Sequence, residues 1–212
     1  MDLIVPMKPP RVGKSRLRGA LAYPDDDARH AELVLALASD TLSAVTSATG
    51  VRRVLVVATD PETLDDLRLF GVEIIREPPG AQGLNAALRH GESVLRHDDA
   101  MSTVGALQAD LPALRSEDLT AALAEAAGRR AFTADRQGTG TTLLLSAPGG
   151  PLDPRFGVGS AFAHTQSGAV PLQLEAESLR SDVDTSGDLT HACSIGVGKH
   201  TAVILGARCL PL

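Results

Sequence analysis

Short, unbroken β-branched runs alternate along this chain with longer stretches of helical period, and no other feature limits its fold as tightly. Leu3-Ile4-Val5 and Val54 to Ala58 are apolar without interruption, and Val72 to Ile75 is broken only by Glu73. Such runs describe strands covered on both faces, the pattern of a parallel sheet between helices rather than of a sheet with one wet face. Between them, Leu35, Ala38, Leu42 and Val45 recur at helical spacing within a helix expected over 28–47. Leu84, Leu88, Gly91 and Leu95 do the same within a second helix expected over 82–96. Asp60 before Pro61 has the form of a helix cap followed by proline at the first helical position. A fourth strand is expected over 102–109, and a helix over 116–127 with Ser116 as its cap. Further on come strands at 132–134, 141–146 and 170–174, a short helix up to Ser167, and a last helix from Ser186. The βαβ rhythm predicts an α/β fold with a mostly parallel central sheet. With no repeat, linker or low-complexity tail, residues 1–212 read as a single domain.

Charge and aromatic content exclude one class of partner. A formal net charge of −6, four Phe, one Tyr and no Trp leave neither a basic stripe nor a stacking platform for nucleic acid. The apolar runs are too short to span a bilayer, and the amino-terminal segment lacks a secretory pattern, so cytoplasm is the default location. Cys193 and Cys209 show neither metal-ligand nor redox-motif spacing and are expected as reduced, partly buried thiols.

Lys8, Lys14 and Lys199 are the only lysines, and two of them fall in the loop that follows the first strand. That loop, from Pro6 to Arg18, combines cations with Gly13, a composition suited to polyphosphate. A solvated basic turn would use the same residues. Gly13-Lys14-Ser15 has the end of a Walker A loop, but Lys8 stands where that motif requires glycine. Asp110, in Gln108-Ala109-Asp110-Leu111-Pro112, closes the fourth strand, where α/β sheets place ligands. A carboxylate there suits Mg²⁺ or serves as a turn-former. Asp182 and Asp184 flank Val183, so in an extended segment both point the same way. The alternative is a surface turn with Asp188 capping the next helix. Gly83 and Asn85 stand at a helix start, suited to a base pocket or to an ordinary helix entry. Thr142, with the glycine-bearing segment Arg155 to Ser160, could hold a carboxylate. His164 follows as a lone helical histidine, to which no role is given.

These segments, in order, are V-P-M-K-P from Val5, G-K-S-R-L from Gly13, Q-G-L-N-A-A-L from Gln82, A-D-L-P from Ala109, G-T-T-L-L from Gly140, R-F-G-V-G-S-A-F-A-H from Arg155 and S-D-V-D-T-x-x-D-L from Ser181. Together they resemble the phosphoenolpyruvate/2-phospho-L-lactate guanylyltransferase family of coenzyme F₄₂₀ biosynthesis, over nearly the whole chain. The resemblance implies a Rossmann-like nucleotidyltransferase α/β sandwich. It implies Mg²⁺ on Asp110, Asp182 and Asp184, GTP phosphates against Lys8 and Lys14, and the base near Gly83 and Asn85. Thr142, Gly157 and Ser160 would bind the acceptor, which is phosphoenolpyruvate or 2-phospho-L-lactate, with 3-phosphoglycerate as the alternative. A related enzyme using another nucleotide and a non-catalytic GTP-binding regulator are the competing readings. A homodimer is compatible with the resemblance.

Overall fold

The computed structural model describes residues 1–18, 26–80 and 83–209. Seven strands form one sheet: β1 (Asp2–Met7), β2 (Arg53–Ala58), β3 (Glu73–Arg76), β4 (Val104–Leu107), β5 (Ala131–Ala134), β6 (Thr141–Leu145) and β7 (Val170–Pro171). Their order is β3-β2-β1-β4-β6-β5-β7. Every pairing is parallel except the two made by β6, which runs against β4 and β5. The expected α/β architecture with a mostly parallel sheet is therefore observed.

Helices α1 (Asp27–Ser47), α2 (Leu84–Asp98), α3 (Ser116–Ala126), α4 (Ser160–Gln166), α5 (Glu177–Arg180), α6 (Ser186–Ile195) and α7 (Lys199–Leu205) cover the sheet. The period-two geometry of β1 shows how. Leu3, Val5 and Met7 enter one core with Leu42 and Val45 of α1 and Leu119 of α3. Ile4 points the other way, to Leu88 and Leu95 of α2. Each fully buried leucine contributes about 1.5–3 kcal/mol relative to exposure, so apolar strands covered on both sides dominate the stability. A third cluster of Leu17, Leu37, Val183, Leu189 and Leu205 joins the first loop, α1, α6 and α7.

Several local expectations need correction. β1 continues through Pro6, which lies beyond Ile4, the last residue of β1 registered with β4. There β1 has a single neighbour, and a residue without an N–H is tolerated. Residues Pro61–Phe70 form a 3₁₀ helix, and the Asp60 side chain makes no cap bond. Ser116 is the first residue of α3 rather than its cap. Arg115 precedes it, and its N–H donates to Ser178 Oγ at 3.0 Å. The expected helix start at Gln82 lies outside the described residues. Cys193 and Cys209 form a disulfide that ties α6 to the 3₁₀ turn Gly206–Cys209. Their separation of 16 residues gave no motif, because only the reversal through α7 brings their Cα atoms to 5.2 Å. No helix among the described residues is long and apolar enough to cross a membrane.

Candidate active site

Strand connections leave β1 toward β2 on one side, while β4 lies on the other, so a crevice opens beyond the carboxyl ends of β1 and β4. A cavity of about 350 Å³ lies there. Lys8, Lys14, Arg16, Leu84, Asp110 and Asp184 all line it.

The loop after β1 is built to hold Lys14 in place. Pro9 O accepts hydrogen bonds from Val12 N and Gly13 N, both at 2.9 Å. The buried His30 of α1 binds Gly13 O through Nε2 at 2.7 Å, which puts the ring proton on Nε2. Lys14 itself adopts φ 55°, ψ 41°, a left-handed conformation that costs a non-glycine residue about 1–2 kcal/mol. Its ammonium donates to both Asp110 Oδ2 and Asp184 Oδ1. Lys8 is exposed on the same rim.

Asp110 is placed by backbone contacts on three sides. The Thr41 hydroxyl of α1 is shared between Leu37 O at 2.9 Å and Ala109 O at 3.1 Å, and it accepts from Leu111 N at 3.0 Å. Gln108 N donates to Thr142 O at 3.0 Å, and Asp110 O accepts from Val183 N at 3.0 Å. Val183 is fully buried, Asp182 beside it is half-buried, and Asp184 is exposed and lines the cavity. Burial, and then the charge of Asp184, push the Asp182 carboxyl up to about 6, with Lys14 working in the opposite direction. Asp188 does not touch Lys14, and its Oδ2 accepts from Asp184 N at 3.4 Å. It forms a capping box with Thr185 at the start of α6 and pairs with Arg136 at 3.1 Å.

Asp110 and Asp184 thus meet around an ammonium, whereas Asp182 makes no bond to it and is not among the residues lining the cavity. Among the described residues no group of three or more acidic, histidine or cysteine side chains is assembled as a metal cage. Asp110 Oδ1 is nevertheless buried without any hydrogen-bond partner. An orphaned carboxylate oxygen beside a second exposed carboxylate is a donor set with capacity left for a hard divalent cation.

Of the remaining predicted residues, Asn85 and Ser160 make side-chain bonds away from Lys14, while the Thr142 hydroxyl faces Thr133 O at 3.5 Å. Gly83 starts α2 with φ 82°. The Asn85 amide donates to Phe156 O at 2.9 Å and accepts from Phe156 N at 2.8 Å, so both its ends are engaged by one residue's backbone. Thr142 is wholly buried in β6 and Ser160 is buried at the start of α4, whereas Gly157 is exposed with φ 138°. Ser160 Oγ donates to Thr141 Oγ1 at 3.1 Å, and Thr141 Oγ1 lies 2.9 Å from His164 Nδ1. His164 Nε2 accepts from Arg155 N at 3.0 Å, so the ring proton must sit on Nδ1. Burial, then the charge of Arg130, hold His164 down at about 4, so it stays neutral. Sequence reasoning missed Thr41, Arg16 and this structural use of His164. Arg16 was legible from its loop, but Thr41 is one small residue on an apolar helix and carried no signal.

Residues 19–210 match the family model of the MobA-like NTP transferase domain. The phosphoenolpyruvate guanylyltransferase of Streptomyces scabiei is 49% identical over 214 residues, covering 99% of this chain and 97% of that protein. That of Salinispora arenicola is 45% identical over 207 residues, covering 96% and 92%. Among solved structures, a Desulfovibrio desulfuricans protein described as a nucleotide-diphospho-sugar transferase superposes with TM-score 0.71 at 16% identity, over 98% of this chain and 96% of that one. A 4-diphosphocytidyl-2C-methyl-D-erythritol synthase superposes with TM-score 0.60 at 15% identity, over 92% and 97%. At such identities the structural likeness speaks for the fold alone.

Proposed function

This chain belongs to the MobA-like NTP transferase family, in company with phosphoenolpyruvate guanylyltransferases that it matches over almost its whole length, and we propose that it transfers GMP from GTP to the phosphate of phosphoenolpyruvate. The observation that carries this reading is Lys14, held in a left-handed backbone conformation with its ammonium between Asp110 and Asp184 in the crevice. A lysine so placed can exchange carboxylates for phosphate oxygens when a nucleotide enters.

In this reading Lys14 and Lys8 neutralise the triphosphate and Gly83 lies beside the guanine. The exposed backbone around Gly157, supported by Thr142 and Ser160, holds the acceptor's carboxylate. Asp110, Asp182 and Asp184 are the residues that would hold Mg²⁺, with the unpartnered Asp110 Oδ1 as the first available donor. When bound, Mg²⁺ supplies Lewis-acid polarisation of the phosphoryl oxygens and charge neutralisation. The acceptor's phosphate oxygen attacks the α-phosphorus in line; the new P–O bond forms as the bond to pyrophosphate breaks. The nucleophile is already anionic, so no side chain is needed as a base. Catalysis is positioning together with electrostatic stabilisation by lysine. The product, a guanylylated enol phosphate, suits deazaflavin coenzyme assembly.

The test is pyrophosphate release with GTP, CTP or ATP against phosphoenolpyruvate, 2-phospho-L-lactate or 3-phosphoglycerate. Turnover only with GTP and phosphoenolpyruvate supports the reading in full. Turnover with another pair moves the specificity, and binding of GTP without turnover would point to a regulator.

A further inference from the structure

Asn85 supplies the hydrogen-bonded link between the start of α2 and the segment at Phe156, two parts that otherwise meet through the apolar packing of Leu88, Leu152 and Phe156. Its neighbour Leu84 lines the crevice cavity. Its own side chain leaves the crevice and grips Phe156 at both backbone polar atoms, at 2.8 and 2.9 Å. The two bonds fix the amide's orientation, because a flipped amide would set donor against N–H and oxygen against carbonyl. The next residue back, Arg155, is tied through its N–H to His164 Nε2 at 3.0 Å. The segment beyond these two clamps is left open. Among the described residues, the N–H groups of Gly157, Val158 and Gly159 make no hydrogen bond, and all three residues are exposed. Gly157 and Gly159 have φ of 138° and 73°, backbone that side-chain-bearing residues rarely adopt, and nothing fills the space beside either Cα.

We propose that Asn85 is a positioning residue that couples the nucleotide cavity to the glycine loop 155–160, so that each substrate binds more tightly when the other is present. This rests on the reading of that loop as the acceptor side of the site. The first turn of α2, beginning at Gly83 with φ 82°, is the wall a nucleotide would order. Through the Asn85 bridge the loop is ordered with it, and the second ligand no longer bears that entropic cost. Coupling of this kind is reciprocal, and values of about 5- to 150-fold are typical. The reading also gives the Asn85 side chain a task other than contact with the base.

Calorimetry with Mg²⁺ measures it, using phosphoenolpyruvate in the presence and absence of guanosine 5′-(α,β-methylene)triphosphate, which binds without transferring. In the wild-type chain the analogue should tighten phosphoenolpyruvate about fivefold or more. In Asn85→Asp, which keeps the shape but sets a carboxylate against Phe156 O, that ratio should fall toward one while each ligand still binds alone. Asn85→Ala removes both bonds without adding charge and answers the question if the aspartate variant does not fold. An unchanged ratio in the variants, or no tightening in the wild-type chain, overturns the coupling. Gly157→Val separates the two ideas. If it leaves phosphoenolpyruvate affinity unchanged, the acceptor reading of the loop fails. If it weakens that affinity while the Asn85 variants keep the full ratio, only the coupling fails.

Discussion

The backbone N–H of Val183 donates to the carbonyl oxygen of Asp110 at 3.0 Å. This single bond joins the loop that follows β4 to a loop more than seventy positions later in the chain. With Val183 buried and Asp110 held from below by Thr41, the carboxylates of residues 110 and 184 are brought onto one ammonium.

Asp110→Asn should remove charge without disturbing this frame, because the bonds to Thr41 and Val183 use backbone atoms. Turnover should fall by about 10²–10³, the cost of losing one preorganised electrostatic group. Pyrophosphate release and thermal melting followed side by side check it. Near wild-type turnover in a folded variant would remove Asp110 from the site.

Asp182 gives a pH signature with opposite signs for stability and activity. Its carboxyl sits at about 6 in the fold against an ordinary 3.8. The native state therefore binds more protons than the unfolded chain between those values. The resulting stability is complete below 3.8 and lost as pH rises through 6. Metal binding needs the ionised form, so Mg²⁺-dependent turnover should rise across the same window. Melting curves of the metal-free chain, compared with Asp182→Asn, should show the variant lacking this part of the decline. Identical pH slopes in the two proteins would contradict the assignment.

Gly91→Ala tests how α2 seats on the sheet. Alanine would gain about 1 kcal/mol of helix propensity. Its Cβ would stand 2.8 Å from Ile4 Cγ2 and 3.0 Å from Val57 Cγ2, an overpacking that typically costs about 1–3 kcal/mol. The clash is expected to prevail, with a net loss of stability in urea titration. A stabilised variant would mean that α2 shifts freely on β1 and β2.

The Cys193–Cys209 disulfide predicts that the native chain resists alkylation until reduced, when mass spectrometry should find two labels. In the chain-entropy view the stabilisation is at most about 3 kcal/mol for a loop of this length. Cys193→Ser should lower the melting temperature without abolishing activity, since neither sulfur lines the crevice. Ready labelling of both thiols in unreduced protein would refute the bond.

The sheet was readable because its central strands are mostly apolar, and Asp110 was readable because it follows closely on the apolar run of β4. The lysine loop was readable because lysine is scarce elsewhere in the chain. What stayed hidden depends on long-range contact. Nothing near Thr41 says that its hydroxyl clamps Ala109 and Leu111, and nothing near Asn85 names Phe156 as its partner. The disulfide was hidden because α7 reverses the chain between two cysteines that form no motif. Asp60 and Ser116 misled because capping residue types describe a tendency, and Arg115 found its partner in Ser178 across the fold.

The central claim is the transfer itself, and mass analysis of one reaction tests it most directly. GTP, phosphoenolpyruvate and Mg²⁺ incubated with the enzyme should yield pyrophosphate and a product carrying GMP joined to phosphoenolpyruvate through a new P–O–P bond. Lys14→Ala, which removes the ammonium between Asp110 and Asp184, should yield neither at a comparable rate. Pyrophosphate released without the GMP adduct, or an undiminished adduct from Lys14→Ala, would contradict the account.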